Sequence, residues 1–192
     1  MTRKKLAGWL RRVSPMLCLA LIAGAIVYAA PQAGGYKIIK RMQIGGDGGW
    51  DYMLIDPPTH RLFVARGSHF QVVDVSTQKV IGDVEIANSK NSHGIALATD
   101  LGKGFTSNGD ANTVSVIDLK TLKATSVIDI PGKDPDSIRY DAATKKVFTF
   151  NGKSMDSTVI DANTAKVIGV LGEKKELLVG MWLDEGFLDM LY

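Results

Sequence analysis

A repeating pattern with a period of about 43 residues constrains this chain more than any other feature of its sequence. His93 and Asp136 lie 43 residues apart, and so do Asp118 and Asp161, while Asp74 precedes Asp118 by 44 residues. Self-similarity at a fixed period indicates a repeat architecture, and propeller repeats are about 40–50 residues long. We therefore expect one structural unit several times over.

Each repeat contains four short runs of β-branched and aromatic residues, separated by clusters of Gly, Asn, Asp and Lys. In the second repeat these runs cover residues 93–100, 104–109, 114–119 and 125–130. Such runs predict strands joined by tight turns. The 3.6-residue periodicity of an amphipathic helix is missing between residues 36 and 171. The sequence predicts an all-β fold, a β-propeller of four-stranded antiparallel blades, with strands A to D in each blade.

About three blades are predicted, with further segments on either side. The blades span residues 50–86, 93–130 and 136–171, and residues 36–44 are expected to form a separate strand. Residues 30–171 would thus form a partial propeller. The period is lost abruptly near Leu171, and part of the C-terminal tail, residues 172–192, favours a helix. We interpret this tail as the truncated or out-of-frame end of a longer propeller.

The first 29 residues have the three-part pattern of a secretory signal peptide. A basic segment precedes the apolar stretch 16–30, and the small residues Val27 and Ala29 predict cleavage after Ala29. The apolar stretch is shorter than the ~20 residues that span a bilayer comfortably. A retained N-terminal anchor stays open as the alternative. We expect an exported protein, either periplasmic or secreted.

Charge and cysteine content narrow the classes of function. Without residues 1–29 the chain has 18 basic and 20 acidic residues. This balance does not support sequence-independent binding of nucleic acid, which depends on many Lys and Arg contacts to phosphate. The only cysteine, Cys18, lies in the apolar N-terminal stretch. The exported chain is therefore expected to have no disulfide and no thiol chemistry.

An aspartate recurs near the end of strand C in every repeat, at Asp74, Asp118 and Asp161. A carboxylate at this position can accept hydrogen bonds from the backbone N–H groups of the following turn. We interpret these aspartates as turn residues and not as members of a chemical site.

Several motifs occur in order and at the repeat spacing: GGDGGWDY at 45–52, SHGI at 92–95, GFTSNG at 104–109, NTVSVID at 112–118 and VFTFNG at 147–152. In these motifs the chain resembles the YVTN-type β-propeller repeat family and, within it, the YncE-like exported proteins. The resemblance covers residues 36–170. It implies a seven-bladed propeller, of which this chain supplies three repeats, located in the periplasm or at the cell surface. It implies no established enzymatic activity.

The D–A and B–C connections of such blades fall on one rim, because antiparallel strands alternate in direction. By the repeat spacing, Trp50, His93 and Asp136 share one position at the D–A connection. Chemically different residues at equivalent loop positions are where function would reside. We predict a ligand-binding patch on this rim, formed by Trp50, Asp51, Arg66, His93, Asn108, Asp136 and Asn151.

Structural roles remain open for the same residues. The Asn-Gly pairs at 108–109 and 151–152 are common turn dipeptides that tolerate positive φ, which alone would explain them. His93 would then bond to a neighbouring blade, and Trp50 would pack over the loop 45–49.

No catalytic residue, metal ligand or cofactor is predicted. A zinc site needs clustered His or Cys, whereas His60, His69 and His93 fall in different turns. The chain has no Gly-x-Ser-x-Gly elbow, and the loop 45–49 lacks the Lys-Ser/Thr of a phosphate-binding loop. The favoured function is a ligand- or protein-binding module that self-associates through exposed blade faces. The alternatives are a fragment of a propeller enzyme, lactonase-like or quinone-dependent oxidoreductase-like, or a nonfunctional gene fragment.

Overall fold

The computed structural model describes residues 37–172. The predicted signal peptide and the tail beyond residue 172 lie outside the described residues. Residues 37–41 belong to one contact unit and residues 42–172 to another. No described helix is long and apolar enough to cross a membrane.

Twelve strands in residues 42–172 form three four-stranded antiparallel sheets, each built from consecutive strands. Blade 1 contains β1 (Met53–Asp56), β2 (Arg61–Ala65), β3 (His69–Asp74) and β4 (Lys79–Glu85). Blade 2 contains β5 (Ser92–Ala98), β6 (Lys103–Asn108), β7 (Thr113–Asp118) and β8 (Lys123–Asp129). Blade 3 contains β9 (Pro135–Asp141), β10 (Lys146–Asn151), β11 (Asp156–Asp161) and β12 (Lys166–Leu171).

This arrangement confirms the fold class expected from the sequence, a partial β-propeller with three blades. The first strands of neighbouring blades, β1, β5 and β9, contact each other in sequence order. They are the A strands, and strands B, C and D follow outwards in each sheet. The third and fourth strands of every blade share a register shift at the same position, between Val72 and Val73, Val116 and Ile117, and Val159 and Ile160.

Residues 37–44, expected to form a strand, have no regular secondary structure. The reason is physical: a strand requires a hydrogen-bonded neighbour, and no described strand pairs with this segment. At the end of this segment, the carbonyl of Ile44 accepts a hydrogen bond from Gln71 Nε2 of blade 1 at 3.3 Å.

Blades 1 and 2 each pack the phenylalanine of their second strand against the blade that follows. Phe63 lies in one buried cluster with Ile95 and Ile117 of blade 2. Phe105 lies in another with Val147 and Ile160 of blade 3. Alternation along the strands sends successive side chains to opposite faces, so one face of blade 2 joins blade 1 and the other joins blade 3.

A basic residue at the start of each second strand adds a polar link between blades. Arg61 Nη1 donates to the Leu119 carbonyl of blade 2 at 2.7 Å. Lys103 Nζ, at the equivalent position, donates to the carbonyls of Ala162 and Asn163 in blade 3 at 3.0 and 2.9 Å. The same contact thus joins both pairs of blades.

The recurring aspartates after strand C are turn residues, as the sequence predicted. The carboxylate of Asp74 accepts from the N–H groups of Ser76 and Thr77. Asp118 and Asp161 make the same bonds in their own turns. The N–H groups of Thr77, Thr121 and Thr164 are the main cause of a lowered pKa at these three carboxyls, whose charged form they stabilise.

Candidate functional site

Strand pairing places Asp51, and not Trp50, at the position of His93 and Asp136. In each blade the last residue of strand A pairs with the first residue of strand B, as Asp56 does with Arg61. Counting five residues back from each A-strand end leads to Asp51, His93 and Asp136. The expected equivalence of Trp50 is therefore wrong by one residue. Its basis, a constant period, fails because the loop between strands B and C is longer in blade 2 than in blade 1.

These three equivalent residues, which we call the rim triad (Asp51, His93 and Asp136), converge where their strands begin. His93 Nδ1 lies 2.7 Å from Asp51 Oδ2 and 4.0 Å from Asp136 Oδ1. The imidazole is 16% exposed, whereas the two carboxylates are 42% and 41% exposed. A mostly buried imidazole thus lies between two solvent-accessible carboxylates, each supplied by a different blade.

The hydrogen bond at Nε2 of His93 determines whether Nδ1 donates or accepts. The Asn91 side-chain amide lies 3.0 Å from His93 Nε2 and donates to it. A neutral imidazole that accepts at Nε2 carries its proton on Nδ1. His93 therefore donates to Asp51, and this bond connects blade 2 to blade 1.

Close approach of the backbone keeps this imidazole in place. A Cβ at Gly109 would lie 2.6 Å from His93 Nε2 and 2.7 Å from Asp134 Oδ1. Glycine at 109 is thus required by space, since its φ is not positive. The N–H of Gly109 also donates to the Asn91 carbonyl at 2.8 Å.

Burial is the first cause of the raised pKa of Asp136 in the rim triad. The carboxylates of Asp51 and Asp134 raise that pKa further, and His93 opposes them. Burial also raises the pKa of Tyr52, whose hydroxyl interacts with Asp136. Asp134 itself faces Lys153 at 3.3 Å. The negative charge left to the solvent in this cluster therefore belongs to Asp51 and Asp136.

Asn108 and Asn151 lie on the same rim but inside the sheets. Both are fully buried. The amide of Asn108 donates to Thr113 Oγ1 and Ser115 Oγ at 3.0 and 2.9 Å. Asn151 Nδ2 donates to Asp156 Oδ1 and to Thr158 Oγ1 in the same way. Gly109 and Gly152 lie in turns, as expected, but neither Asn-Gly pair has positive φ. The asparagine side chains instead fasten strand B to strand C.

The other two residues of the predicted patch lie apart from the triad's hydrogen bonds. Arg66, in place of the buried asparagines, donates to the carbonyls of Gly46, Asp47 and Gly48 and holds that loop. Trp50 is 76% exposed and has no hydrogen bond to the triad. It remains available as a contact surface beside Asp51. Of the seven predicted residues, the structure joins three in direct contact.

Tyr52, Asn91 and Gly109 belong to the site but were not singled out from the sequence. Asn91 and Tyr52 adjoin His93 and Asp51 along the chain, which is the one signal that could have found them. Gly109 lies in a turn, as expected, but its close approach to His93 and Asp134 is not visible in a sequence.

Within residues 37–172, no group of three His, Cys, Asp or Glu side chains is arranged to hold a metal ion. The triad instead uses its imidazole nitrogens as a hydrogen-bond donor and acceptor. Its geometry favours contact with a polar or charged group of another molecule.

Comparison with known proteins supports the fold. One similar solved structure is the hydrazine synthase of Kuenenia stuttgartiensis, at 22% sequence identity and a TM-score of 0.60. The match covers 71% of this chain and 39% of that chain, so this chain spans about two fifths of its length. A likeness at this identity concerns the propeller fold alone.

No protein-family model matches the chain, and no curated protein matches it. The resemblance to the YVTN-type repeats therefore stays a prediction from the motifs.

Proposed function

We propose that this chain is an exported binding module that holds a basic group of a ligand or partner protein at the rim triad. The observation that carries the proposal is the meeting of three equivalent but chemically different residues, Asp51, His93 and Asp136, from three blades. Positions that vary on a repeated framework are suited to recognition, because the framework fixes their geometry.

The charge of the triad favours a cation. Asp51 and Asp136 are partly exposed, and His93 in its neutral form leaves their charge uncompensated. A guanidinium or primary ammonium group can donate to both carboxylates, and such charge-assisted bonds are about twice as strong as neutral ones. Trp50, which is exposed next to Asp51, offers an aromatic face to the same group.

Export is the second part of the proposal. It rests on the basic, apolar and small-residue pattern of residues 1–29. Mass spectrometry of the protein from a periplasmic extract and from the growth medium is expected to find an N-terminus at Ala30. Recovery of the protein from the cytoplasm with residues 1–29 intact would contradict export.

Binding is tested with a small probe for the basic group, N-acetylarginine amide, titrated into the 30–192 chain and followed by NMR shifts near His93. N-acetylglutamine amide, which has no charge, is the matched probe. We expect binding of the arginine probe alone, weakened about tenfold by Asp51→Asn and by Asp136→Asn, since one charge-assisted hydrogen bond contributes ~1.5–3 kcal/mol.

The control variant is Asp83→Asn, which removes a carboxylate of similar exposure from the outermost strand of blade 1. It should bind the arginine probe as the unaltered chain does. Equal binding of both probes, or an equal loss in Asp83→Asn, would overturn the proposal that the rim triad recognises a cation.

A further inference from the structure

A second concave surface lies along the A strands of the three blades. This cleft has a volume of about 370 Å³. Most of its wall is apolar, with Leu54 from blade 1, Ile95 and Leu97 from blade 2, and Ile138 from blade 3. Pockets for small organic molecules typically measure ~300–1,000 Å³ and combine apolar walls with a few polar groups. The cleft meets both criteria.

Arg139 is the exposed cation of this cleft. Its guanidinium makes no hydrogen bond or ion pair with any residue of the described chain. The equivalent positions in blades 1 and 2, which also line the cleft, are the apolar residues Leu54 and Ala96. Leu54 and Ala96 pack towards the blade that follows, whereas no described blade follows blade 3, so the arginine at this position stays exposed.

We propose that the cleft binds a small molecule with an apolar body and one carboxylate, and that Arg139 holds the carboxylate. Arginine presents parallel N–H donors that match the two oxygens of a carboxylate. The apolar walls supply the hydrophobic contact for the body of the molecule. The three residues of the rim triad do not line this cleft.

Neighbouring groups favour a monoanion. Arg139 is the only basic side chain that lines the described cleft, so a doubly charged phosphate would keep an uncompensated charge. Two other polar side chains of the cleft are already engaged. The hydroxyl of Tyr140 donates to Asp100 at 3.0 Å. Asp56, 8% exposed, accepts a hydrogen bond from Thr59 in the A–B turn of blade 1.

The test is calorimetric titration of the 30–192 chain with 4-phenylbutyrate. The matched probes are 4-phenylbutan-1-ol, which keeps the apolar body without the charge, and acetate, which keeps the charge without the body. We expect 4-phenylbutyrate to bind at least about tenfold more tightly than either, the equivalent of one charge-assisted contact.

Arg139→Leu, which introduces the residue of blade 1 at this position, should reduce binding of 4-phenylbutyrate to the level of the alcohol. Arg139→Lys should retain part of the difference. Lys166→Leu, which removes an exposed cation from the outermost strand of blade 3, is the control and should change nothing. Circular dichroism melts establish that each variant is folded. No binding of 4-phenylbutyrate at millimolar concentration, or unchanged binding in Arg139→Leu, would overturn the proposal.

Discussion

Gly109 is the residue on which the geometry of the rim triad depends most closely. An added methyl group there would lie within 2.7 Å of both His93 Nε2 and Asp134 Oδ1. We expect Gly109→Ala to displace the imidazole, to weaken binding of the arginine probe, and to lower the free energy of unfolding by about 1–3 kcal/mol, as overpacking does. Urea denaturation measures the change in the free energy of unfolding.

The equivalent glycine in blade 3 provides the control. A Cβ at Gly152 would meet its nearest atom, the Asp134 carbonyl oxygen, at 3.7 Å, an ordinary contact. Gly152→Ala should therefore change stability by less than about 0.5 kcal/mol. Equal effects of the two substitutions would show that the space around His93 is not what requires glycine.

The raised pKa of Asp136 predicts a pH-dependent stability. Burial holds this pKa above the ordinary value of 3.8. At pH values between 3.8 and the pKa of the folded state, the folded protein therefore binds more protons than the unfolded chain. Stability contributed by this group is thus present below pH 3.8 and is lost as the pH rises through the folded pKa. Asp136→Asn should raise the melting temperature at about pH 7 and have little effect on it at about pH 3. A gain that is the same at both pH values would contradict this origin.

Two members of the triad could be aligned from their spacing, and the third could not. His93 and Asp136 follow the constant period, whereas the longer B–C loop of blade 2 moves the partner in blade 1 from Trp50 to Asp51. Loop length changes register by single residues, and a one-residue change reverses the direction of a strand side chain. The hydrogen bond between His93 and Asp51 is therefore visible only in the folded chain.

At the scale of the strands, buried amides hold the second strand of a blade to the third. We expect Asn108→Leu to cost about 1–3 kcal/mol, because it leaves the buried hydroxyls of Thr113 and Ser115 without their donor. Thermal unfolding followed by circular dichroism measures this loss. Asn163→Ala, on the exposed C–D turn of blade 3, is the matched control. A melting temperature that is equal in both variants would argue against the fastening role.

Sequence reasoning explained the C–D turns in full, but for the Asn-Gly pairs it missed the role of the asparagine side chains. An aspartate such as Asp118 acts within three residues of its own position, so a local pattern contains the whole interaction. Asn108 bonds to residues of another strand and is completely buried. A dipeptide cannot indicate either property.

The three described blades are held together by contacts that recur between them, and their stability should be cooperative. Phe105 is fully buried between blades 2 and 3. Phe105→Ala should cost about 3–5 kcal/mol and, because each repeat is stabilised by its neighbours, should weaken amide protection in both blades. Hydrogen exchange measured by mass spectrometry distinguishes this from a loss confined to blade 2, which would contradict cooperative stacking.

The architecture was predictable because every repeat contains the same pattern of strands and turns. Four β-rich runs in each period, with turns between them, specify antiparallel blades three times over. In blade 2 each observed strand begins and ends within two residues of its predicted run. The exception is residues 37–44 of the predicted first strand. Its β-branched residues resemble a strand, but strand formation depends on a partner that the segment itself does not contain.

The most direct test of the account is the state of the His93 imidazole, because the proposed site requires blades 1 and 2 to meet through it. Nitrogen-15 NMR of the ring should find the proton on Nδ1 at neutral pH, in slow exchange with water, and the signal should change in Asp51→Ala but not in Asp83→Asn. A proton on Nε2, or a ring spectrum that Asp51→Ala leaves unaltered, would mean that the three strands do not converge as described.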